Sequence, residues 1–146
     1  MQTVTVTRTI DAPLTSVFDW ISNAHNYTHS RWVIRERLRT PGADAPYGLG
    51  AVRVLIWVVG WFSERVTAYH PPHSFDYHVD RSVPPSRHEH GRVTCTATDG
   101  GTHVEWTTTF EVAVPIVGGL LTRYVGRPVM TYAFTTILDR AEQDLA

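Results

Sequence analysis

The sequence lacks lysine, and all 13 of its Lys and Arg positions are arginine. This excludes Schiff-base chemistry by a lysine and the lysine of a phosphate-binding P-loop. There is one cysteine, Cys95, which excludes an internal disulfide and a zinc site built from several cysteines. The longest apolar run, residues 54–62, has nine residues, far short of the roughly 20 that a membrane-spanning helix needs.

The first residues also lack the charged start and apolar core of a secretion signal. We therefore expect a cytoplasmic protein without membrane insertion. With 146 residues, 42% hydrophobic and 18% charged, the chain suits a single folded domain over residues 1–146. Its net charge of −1 gives no reason to expect a nucleic-acid partner. No glycine-rich loop follows a predicted strand, so we expect no cofactor.

Alternating apolar and polar residues predict most of the chain as β-strands. The first strand places Val4, Val6 and Ile10 on one face, and Asp11-Ala-Pro13 then begins a short helix that Ser22-Asn23 ends. A second short helical turn is predicted over residues 24–28. Six further strands follow, at residues 32–39, 51–58, 61–70, 74–81, 87–98 and 102–112.

From Pro115 to the end the period becomes helical. One apolar stripe holds Val117, Leu120, Leu121 and Tyr124, and a second, rotated stripe begins at Met130. Gly126 and Pro128 lie between them, so we predict a kink that lets both stripes face the sheet. The predicted fold class is α+β, with a seven-stranded antiparallel sheet around a long C-terminal helix and two short helices after strand 1.

The element order, together with five short motifs, resembles the SRPBCC superfamily of START-like, helix-grip proteins, nearest to its polyketide cyclase/dehydratase branch. The resemblance spans the chain and implies a deep cavity between a curved sheet and the C-terminal helix, for a hydrophobic ligand such as a polyketide or lipid. It implies no universal catalytic motif. The motifs are Ile10-Asp-Ala-Pro13 with Val17-Phe18, Gly48-x-Gly50-x-x-Arg53, Glu64-x-Val66 leading to Pro71-Pro72, Phe75-x-Tyr77, and Gly100-Gly-Thr-x-Val-x-Trp106-x-x-x-Phe110.

Strand parity predicts which side chains face such a cavity. If Val59-Gly60 is a two-residue turn, Leu55 lies opposite Glu64, and Arg53 lies diagonal to Glu64 on the inner face. Arg53 is then a candidate to hold a ligand carbonyl or enolate, Glu64 or Glu89 to act as a general base, and Tyr77 to supply a proton. An Arg53–Glu64 pair with a purely structural role is an equally good interpretation.

The remaining predicted cavity residues are mostly aromatic, with few polar groups, as is typical of a site for an oily molecule that carries oxygens. Because every positive side chain is a guanidinium, arginines are predicted ligand clamps rather than proton bases. The predicted ligand-binding residues are Trp32, Trp57, Phe62, Arg81, Glu89, Val93, Trp106, Phe110 and Tyr124.

The histidines offer a competing interpretation. Parity places His78, His88 and His90 on the outer face, where three imidazoles could approach a zinc ion. No carboxylate at ligand spacing completes that site, so we favour surface histidines and predict no metal. His25 and His29, near the second helix, are an alternative pair that could rim the cavity mouth, and Cys95 is expected to be a small buried residue.

Three functions remain compatible with the sequence. The first is a carrier of a hydrophobic small molecule, and the second is a cofactor-free cyclase, aromatase or dehydratase. The third is an interaction module that dimerises through Val54, Ile56 and Val58, three aliphatic residues that parity places on the convex face. The protein is accordingly expected to be a monomer or a homodimer.

Overall fold

The computed structural model describes residues 1–146 and contains one seven-stranded antiparallel sheet. Strands β2 to β7 follow one another as hairpins, and β1 adds to the far edge beside β7, so the spatial order is β1-β7-β6-β5-β4-β3-β2. The strands are β1 (Gln2–Ile10), β2 (Val33–Thr40), β3 (Val52–Trp57), β4 (Gly60–His70), β5 (Ser74–Val83), β6 (Ser86–Thr98) and β7 (Gly101–Val112).

Two short helices follow β1, and the C-terminal part of the chain is helical, so the predicted helix-grip α+β fold is confirmed. The long helix packs its buried face against the inner face of the sheet through Ala133, Phe134, Ile137, Leu138 and Ala141. None of the helices is both long and apolar enough to span a membrane. The helices are α1 (Leu14–Ser22), a 3₁₀ helix (Ala24–His29), α2 (Gly118–Leu121), a π-helical turn (Thr122–Gly126) and α3 (Arg127–Leu145).

Most of the first C-terminal stripe points to solvent, contrary to our prediction, and only Leu121 of this stripe lines the space beneath the helix. Leu120 and Tyr124 are 60% and 65% exposed, whereas the second stripe is buried. The π-helical turn explains the difference, because its wider turn changes the rotation between α2 and α3. The two stripes therefore point in different directions, and only that of α3 reaches the sheet.

The β3–β4 register differs by two residues from the predicted one. The turn consists of Val58 and Val59, because Trp57 lies opposite Gly60, and Leu55 therefore lies opposite Phe62. A shift of two residues preserves strand parity. Arg53 consequently stays on the inner face and lies directly opposite Glu64 instead of diagonal to it.

Two β-bulges reverse the strand parity that we predicted for the C-terminal end of β5 and the N-terminal end of β6. On β5, Val79 lies opposite Glu64 and Arg81 opposite Ser63, so Asp80 is the extra residue. On β6, the register shifts between His88 and His90, so Glu89 is the extra residue. A bulge places the following residues on the other face. Each bulge therefore changes which charged and imidazole side chains face inward.

Candidate ligand-binding cavity

A cavity of about 360 Å³ lies between the inner face of the sheet and the helical segment from α2 to α3. Its inner end is formed by buried residues such as Tyr77 and Phe134, and its outer end by exposed ones such as Leu121 and Val125. Most of the wall is apolar. The residues that line the cavity are Trp57, Val59, Phe62, Glu64, Tyr77, Val79, Pro84, Ser86, His88, Thr108, Phe110, Val112, Val114, Leu121, Val125, Gly126, Val129, Met130 and Phe134.

The inner end is closed by an aromatic stack between sheet and helix. Trp106 of β7 stacks on Phe134 of α3, with ring centroids 4.0 Å apart and an interplanar angle of 10°. Its indole Nε1–H donates to Tyr77 Oη at 2.8 Å. Trp106 therefore fixes the position of Phe134 and Tyr77, which line the cavity, although it does not line the cavity itself.

Arg53 and Glu64 form a buried ion pair beside the inner end. Arg53 Nη2 donates to Glu64 Oε1 at 2.7 Å, and the two side chains are 1% and 10% exposed. The guanidinium lies 5.5 to 5.8 Å from the ring centroids of Tyr27, Phe75 and Tyr77, in the range of cation–π contacts. Only Glu64 lines the cavity, so Arg53 lies behind it and can affect a ligand through the carboxylate.

Burial raises the pKa of Glu64 above its usual range, although Arg53 opposes that shift through charge attraction and a hydrogen bond. Burial also raises the pKa of Tyr77. The phenol is therefore neutral at physiological pH, and it can donate a hydrogen bond to an oxygen. The two groups place one carboxyl and one hydroxyl at the inner end of an otherwise oily space.

His88 belongs to the same polar cluster, which the sequence did not predict. Its Nδ1 accepts a hydrogen bond from the backbone N–H of Val79 at 3.1 Å, so Nε2 carries the proton and donates to Thr108 Oγ1 at 2.7 Å. The imidazole is stacked on Tyr77, with centroids 5.6 Å apart. Burial, with a smaller contribution from His78 and His90, lowers the pKa of His88 to about 4. The ring is therefore neutral at pH 7.

The bulge at Glu89 brings His88 into the cavity wall. Without it, β6 would bury the Glu89 carboxylate at the cavity and expose His88, as regular strand parity predicts. The cost of burial could have indicated this bulge from the sequence. A neutral imidazole costs far less free energy to bury than a carboxylate with no cationic partner.

The structure brings together only part of the predicted site. Trp57, Phe62, Glu64, Tyr77 and Phe110 line the cavity, and Arg53 contacts two of them. Val93 and Trp106 are buried in the core beneath the cavity, and half-buried Trp32 packs edge-on against Tyr132 at 5.3 Å.

Six predicted ligand-binding residues therefore lie outside the cavity: Trp32, Val93 and Trp106, and also Arg81, Glu89 and Tyr124. Arg81 and Glu89 are exposed, so the prediction that they face inward is wrong, and the bulges at Asp80 and Glu89 are the reason. Tyr124 is 65% exposed because the π-helical turn directs it outward.

The other two histidines of the predicted outer-face group lie beside different aspartates. His78 contacts Asp80 at 2.7 Å, and His90 lies 3.2 Å from Asp76. No group of three or more His, Cys, Asp or Glu side chains is arranged to hold a metal ion.

The interpretation that His25 and His29 lie at the cavity mouth is wrong. His25 pairs with Glu36 of β2 and His29 with Asp144 near the end of α3, whereas the mouth lies at the opposite end of that helix. Cys95 is buried as expected, and burial raises the pKa of its thiol to about 12.

The curved sheet and the C-terminal helix packed on it define an α+β fold of the START-like, helix-grip class. The sequence matches the family model for "Polyketide cyclase / dehydrase and lipid transport" over residues 1–146, and the chain belongs to this family. The predicted relationship to the polyketide cyclase/dehydratase branch is thereby confirmed. No protein of curated function matches the sequence at a significant level.

Solved structures show the same fold at low sequence identity. The protein TTHA0849 from Thermus thermophilus has a TM-score of 0.80 and 18% identity, covering 99% of this chain and 97% of its own. A START superfamily protein from Mycobacterium smegmatis has a TM-score of 0.73 and 14% identity, covering 98% and 96%. The di-domain ARO/CYC BexL from the BE-7585A biosynthetic pathway has a TM-score of 0.74 and 19% identity, covering 99% of this chain and 50% of its own.

Proposed function

We propose that the protein binds a hydrophobic, oxygen-bearing small molecule, polyketide-like or lipid-like, in the cavity between the sheet and α3. The observation that carries this proposal is the contrast within the cavity wall. Aliphatic and aromatic side chains form most of it, and its polar groups are concentrated at the inner end, where Glu64, Tyr77, His88 and Thr108 meet. Such a wall selects an apolar body and orients it through a few oxygens.

The polar cluster favours a ligand that carries a carbonyl or hydroxyl group at the end that reaches the inner end of the cavity. Tyr77 can donate to a carbonyl oxygen, and the Glu64 carboxylate can accept from a hydroxyl. Arg53 holds Glu64 in place from behind and is therefore a positioning residue in this proposal. The volume of about 360 Å³ is at the lower end of small-molecule sites, roughly 300 to 1,000 Å³, which favours a ligand of one to three rings or a medium acyl chain.

A second candidate is a cofactor-free cyclisation or dehydration of a poly-β-keto chain, and the placement of Glu64 favours it. This carboxyl lines the cavity, and burial raises its pKa, which is the direction of shift that favours a general base. Glu64 would take a proton from a methylene between two carbonyls, and Tyr77 would donate a hydrogen bond to the enolate oxygen. The enolate carbon would then attack another carbonyl of the same chain, and the Glu64 proton would pass to the new alkoxide.

Ligand titrations monitored by melting temperature and by tryptophan fluorescence test the binding proposal. Suitable probes are a naphthol, a flavone and a medium-chain fatty acid. We expect at least one to raise the melting temperature, and Val129→Trp, which fills the cavity, to abolish that rise. Tyr77→Phe should weaken binding about five- to tenfold through the loss of one hydrogen bond.

Tyr47→Phe is the matched control, because Tyr47 donates to Glu36 at 2.8 Å outside the cavity, and it should bind the probes as the wild type does. If no probe binds, or if Val129→Trp binds them unchanged, the cavity is not the ligand site.

The catalytic candidate predicts that Glu64→Gln retains binding of a poly-β-keto substrate analogue but loses its turnover. A wild-type protein that binds the analogue without converting it would be a carrier. The predicted dimer through Val54, Ile56 and Val58 stays a prediction that sedimentation can test.

A further inference from the structure

The mouth of the cavity is surrounded by large apolar side chains that face solvent. We call this set the rim: Val58, Val83, Ile116, Val117, Leu120 and Tyr124. Their exposed fractions run from 42% for Val117 to 102% for Ile116. Ile116 also has a φ of 71°, in the left-handed region that a β-branched residue rarely adopts, and its side chain projects fully from the surface. A concentration of exposed apolar residues of this kind marks an interaction surface.

The rim is continuous because three chain segments meet at the mouth. Val83 at the end of β5 lies opposite Trp61, next to the β3–β4 turn that carries Val58. The backbone N–H of Ala113 donates to Pro85 O at 2.9 Å, which joins the β5–β6 turn to the segment that leads into α2. Leu121 and Val125 lie beside the rim residues of the helical segment and also line the cavity.

The chain segments that carry the rim contain arginines but no acidic residue, whereas Asp80, Glu89 and Glu111 directly border them. The chain as a whole holds 14 acidic and 13 basic residues, yet residues 57–62, 81–88 and 112–129 contain no Asp or Glu. They contain Arg81, Arg87, Arg123 and Arg127. Of these, only Arg87 forms an ion pair, with Glu111. The Arg123 guanidinium lies 5.4 Å from the Tyr124 ring centroid, so a cation and an aromatic ring of the rim lie side by side.

We propose that the rim docks the protein peripherally on a bilayer that contains anionic lipid. Ile116, Val117 and Leu120 would enter the acyl boundary, and Arg81, Arg123 and Arg127 would contact lipid phosphates. Apolar residues bordered by unpaired arginines provide the two contributions, hydrophobic and electrostatic, on which reversible interfacial binding depends. Docking would also place the cavity mouth against the bilayer, so that an apolar ligand could enter without crossing water. That last consequence rests on the proposed function, whereas the docking itself does not.

Sedimentation with vesicles tests this surface without any cavity ligand. The wild type should co-sediment with vesicles of mixed phosphatidylcholine and phosphatidylglycerol, and less with phosphatidylcholine alone. Leu120→Asp should reduce the partition coefficient at least tenfold, because it places a charge where the docked protein would bury apolar area in the bilayer. Arg123→Gln combined with Arg127→Gln should reduce it about tenfold or more on anionic vesicles.

Two matched controls keep the test specific to the rim. Leu49→Asp changes a leucine that is 51% exposed, and Arg37→Gln changes an exposed arginine of β2; both lie outside the rim. Each should bind vesicles as the wild type does. Wild-type protein that does not bind vesicles, or Leu120→Asp protein that binds unchanged, would overturn the proposal; in the first case an acidic protein becomes the better partner. A dimer that dissociates on Leu120→Asp would also overturn it. Probe binding in the cavity is measured separately, so failure of docking and failure of the proposed function are distinguishable.

Discussion

Tyr77 occupies its position because residue 91 has no side chain. Gly91 lies opposite Tyr77 across the β5–β6 pair, and the phenol ring covers the space that a side chain at residue 91 would fill. A methyl group there would overlap with Cζ of Tyr77 and lie 2.6 Å from both Cε atoms. The glycine therefore allows the ring to lie flat on the sheet, with Oη in reach of Trp106.

Gly91→Ala should destabilise the protein by about 2 kcal/mol, because the added methyl overpacks a buried site and forces the Tyr77 ring to move. Displacing the ring would also lengthen the Trp106–Tyr77 hydrogen bond and weaken probe binding. The measurements are urea unfolding and near-ultraviolet circular dichroism. Gly100→Ala is the control, because a methyl group at residue 100 has no atom within 4 Å. Equal effects of both substitutions would contradict this account of Tyr77.

At the same scale, the sequence was informative where parity stayed regular and misleading where it did not. Arg53 and Glu64 face each other across the β3–β4 pair, which has no register shift, so their proximity followed from parity even with the turn misplaced by one residue. His88 and Glu89 lie at a bulge. Whether one residue is extra depends on how two strands pair, which the composition of one strand does not encode.

At the scale of whole elements, strands and helices followed from periodicity, and their irregularities did not. The bulges at Asp80 and Glu89 lie in the halves of β5 and β6 that approach the cavity mouth, and the π-helical turn lies across the mouth from them. Together they direct Arg81 and Tyr124 outward and His88 inward. Gly126 and Pro128 predicted an irregularity in the helix at the correct place, but its π geometry and rotation depend on packing against β7.

Thr122 connects that irregular helical segment to the sheet. Its buried hydroxyl accepts from the backbone N–H of Val112 at 2.7 Å and donates to Gly118 O at 2.7 Å. Thr122→Val keeps the shape and removes both hydrogen bonds, which leaves the Val112 N–H without this acceptor. We expect a loss of about 2 kcal/mol in the free energy of unfolding, measured with urea.

The control for this element is Thr131→Val in α3. Thr131 also donates back to a helical carbonyl, Arg127 O, at 2.7 Å, but it is at the surface and bonds to no strand. Its replacement should change stability by less than about 0.5 kcal/mol. If the two variants were equally stable, the connection between β7 and the helical segment would not depend on the Thr122 hydroxyl.

At the scale of the whole molecule, the groups whose pKa values are shifted in the folded protein determine how stability responds to acid. The carboxyls of Asp76, Asp80, Glu111 and Asp144 all have lowered pKa values, and each has an arginine or histidine neighbour that contributes to the shift. Their contribution to stability is lost only as the pH falls through those lowered values. A decline of stability that begins nearer neutrality must therefore come from a different kind of group.

His88 is that group. Its pKa is about 4 in the folded protein, against an ordinary value of 6.5. Between these pH values His88 is protonated in the unfolded chain but not in the folded protein. Stability therefore falls as the pH decreases from 6.5 towards 4 and is unaffected by His88 above 6.5. The expected loss at pH 5 relative to pH 7 is up to about 2 kcal/mol. Urea unfolding at the two pH values measures it.

His88→Gln should abolish most of this loss, because glutamine can accept from the Val79 N–H and donate to Thr108 without titrating. Glu64, whose raised pKa acts in the opposite direction, is present in both proteins, so its effect cancels in the comparison. His73→Gln removes an exposed imidazole and should retain the wild-type decline. A His88→Gln variant whose stability declines between pH 7 and pH 5 as steeply as that of the wild type would show that the cavity does not keep this imidazole neutral.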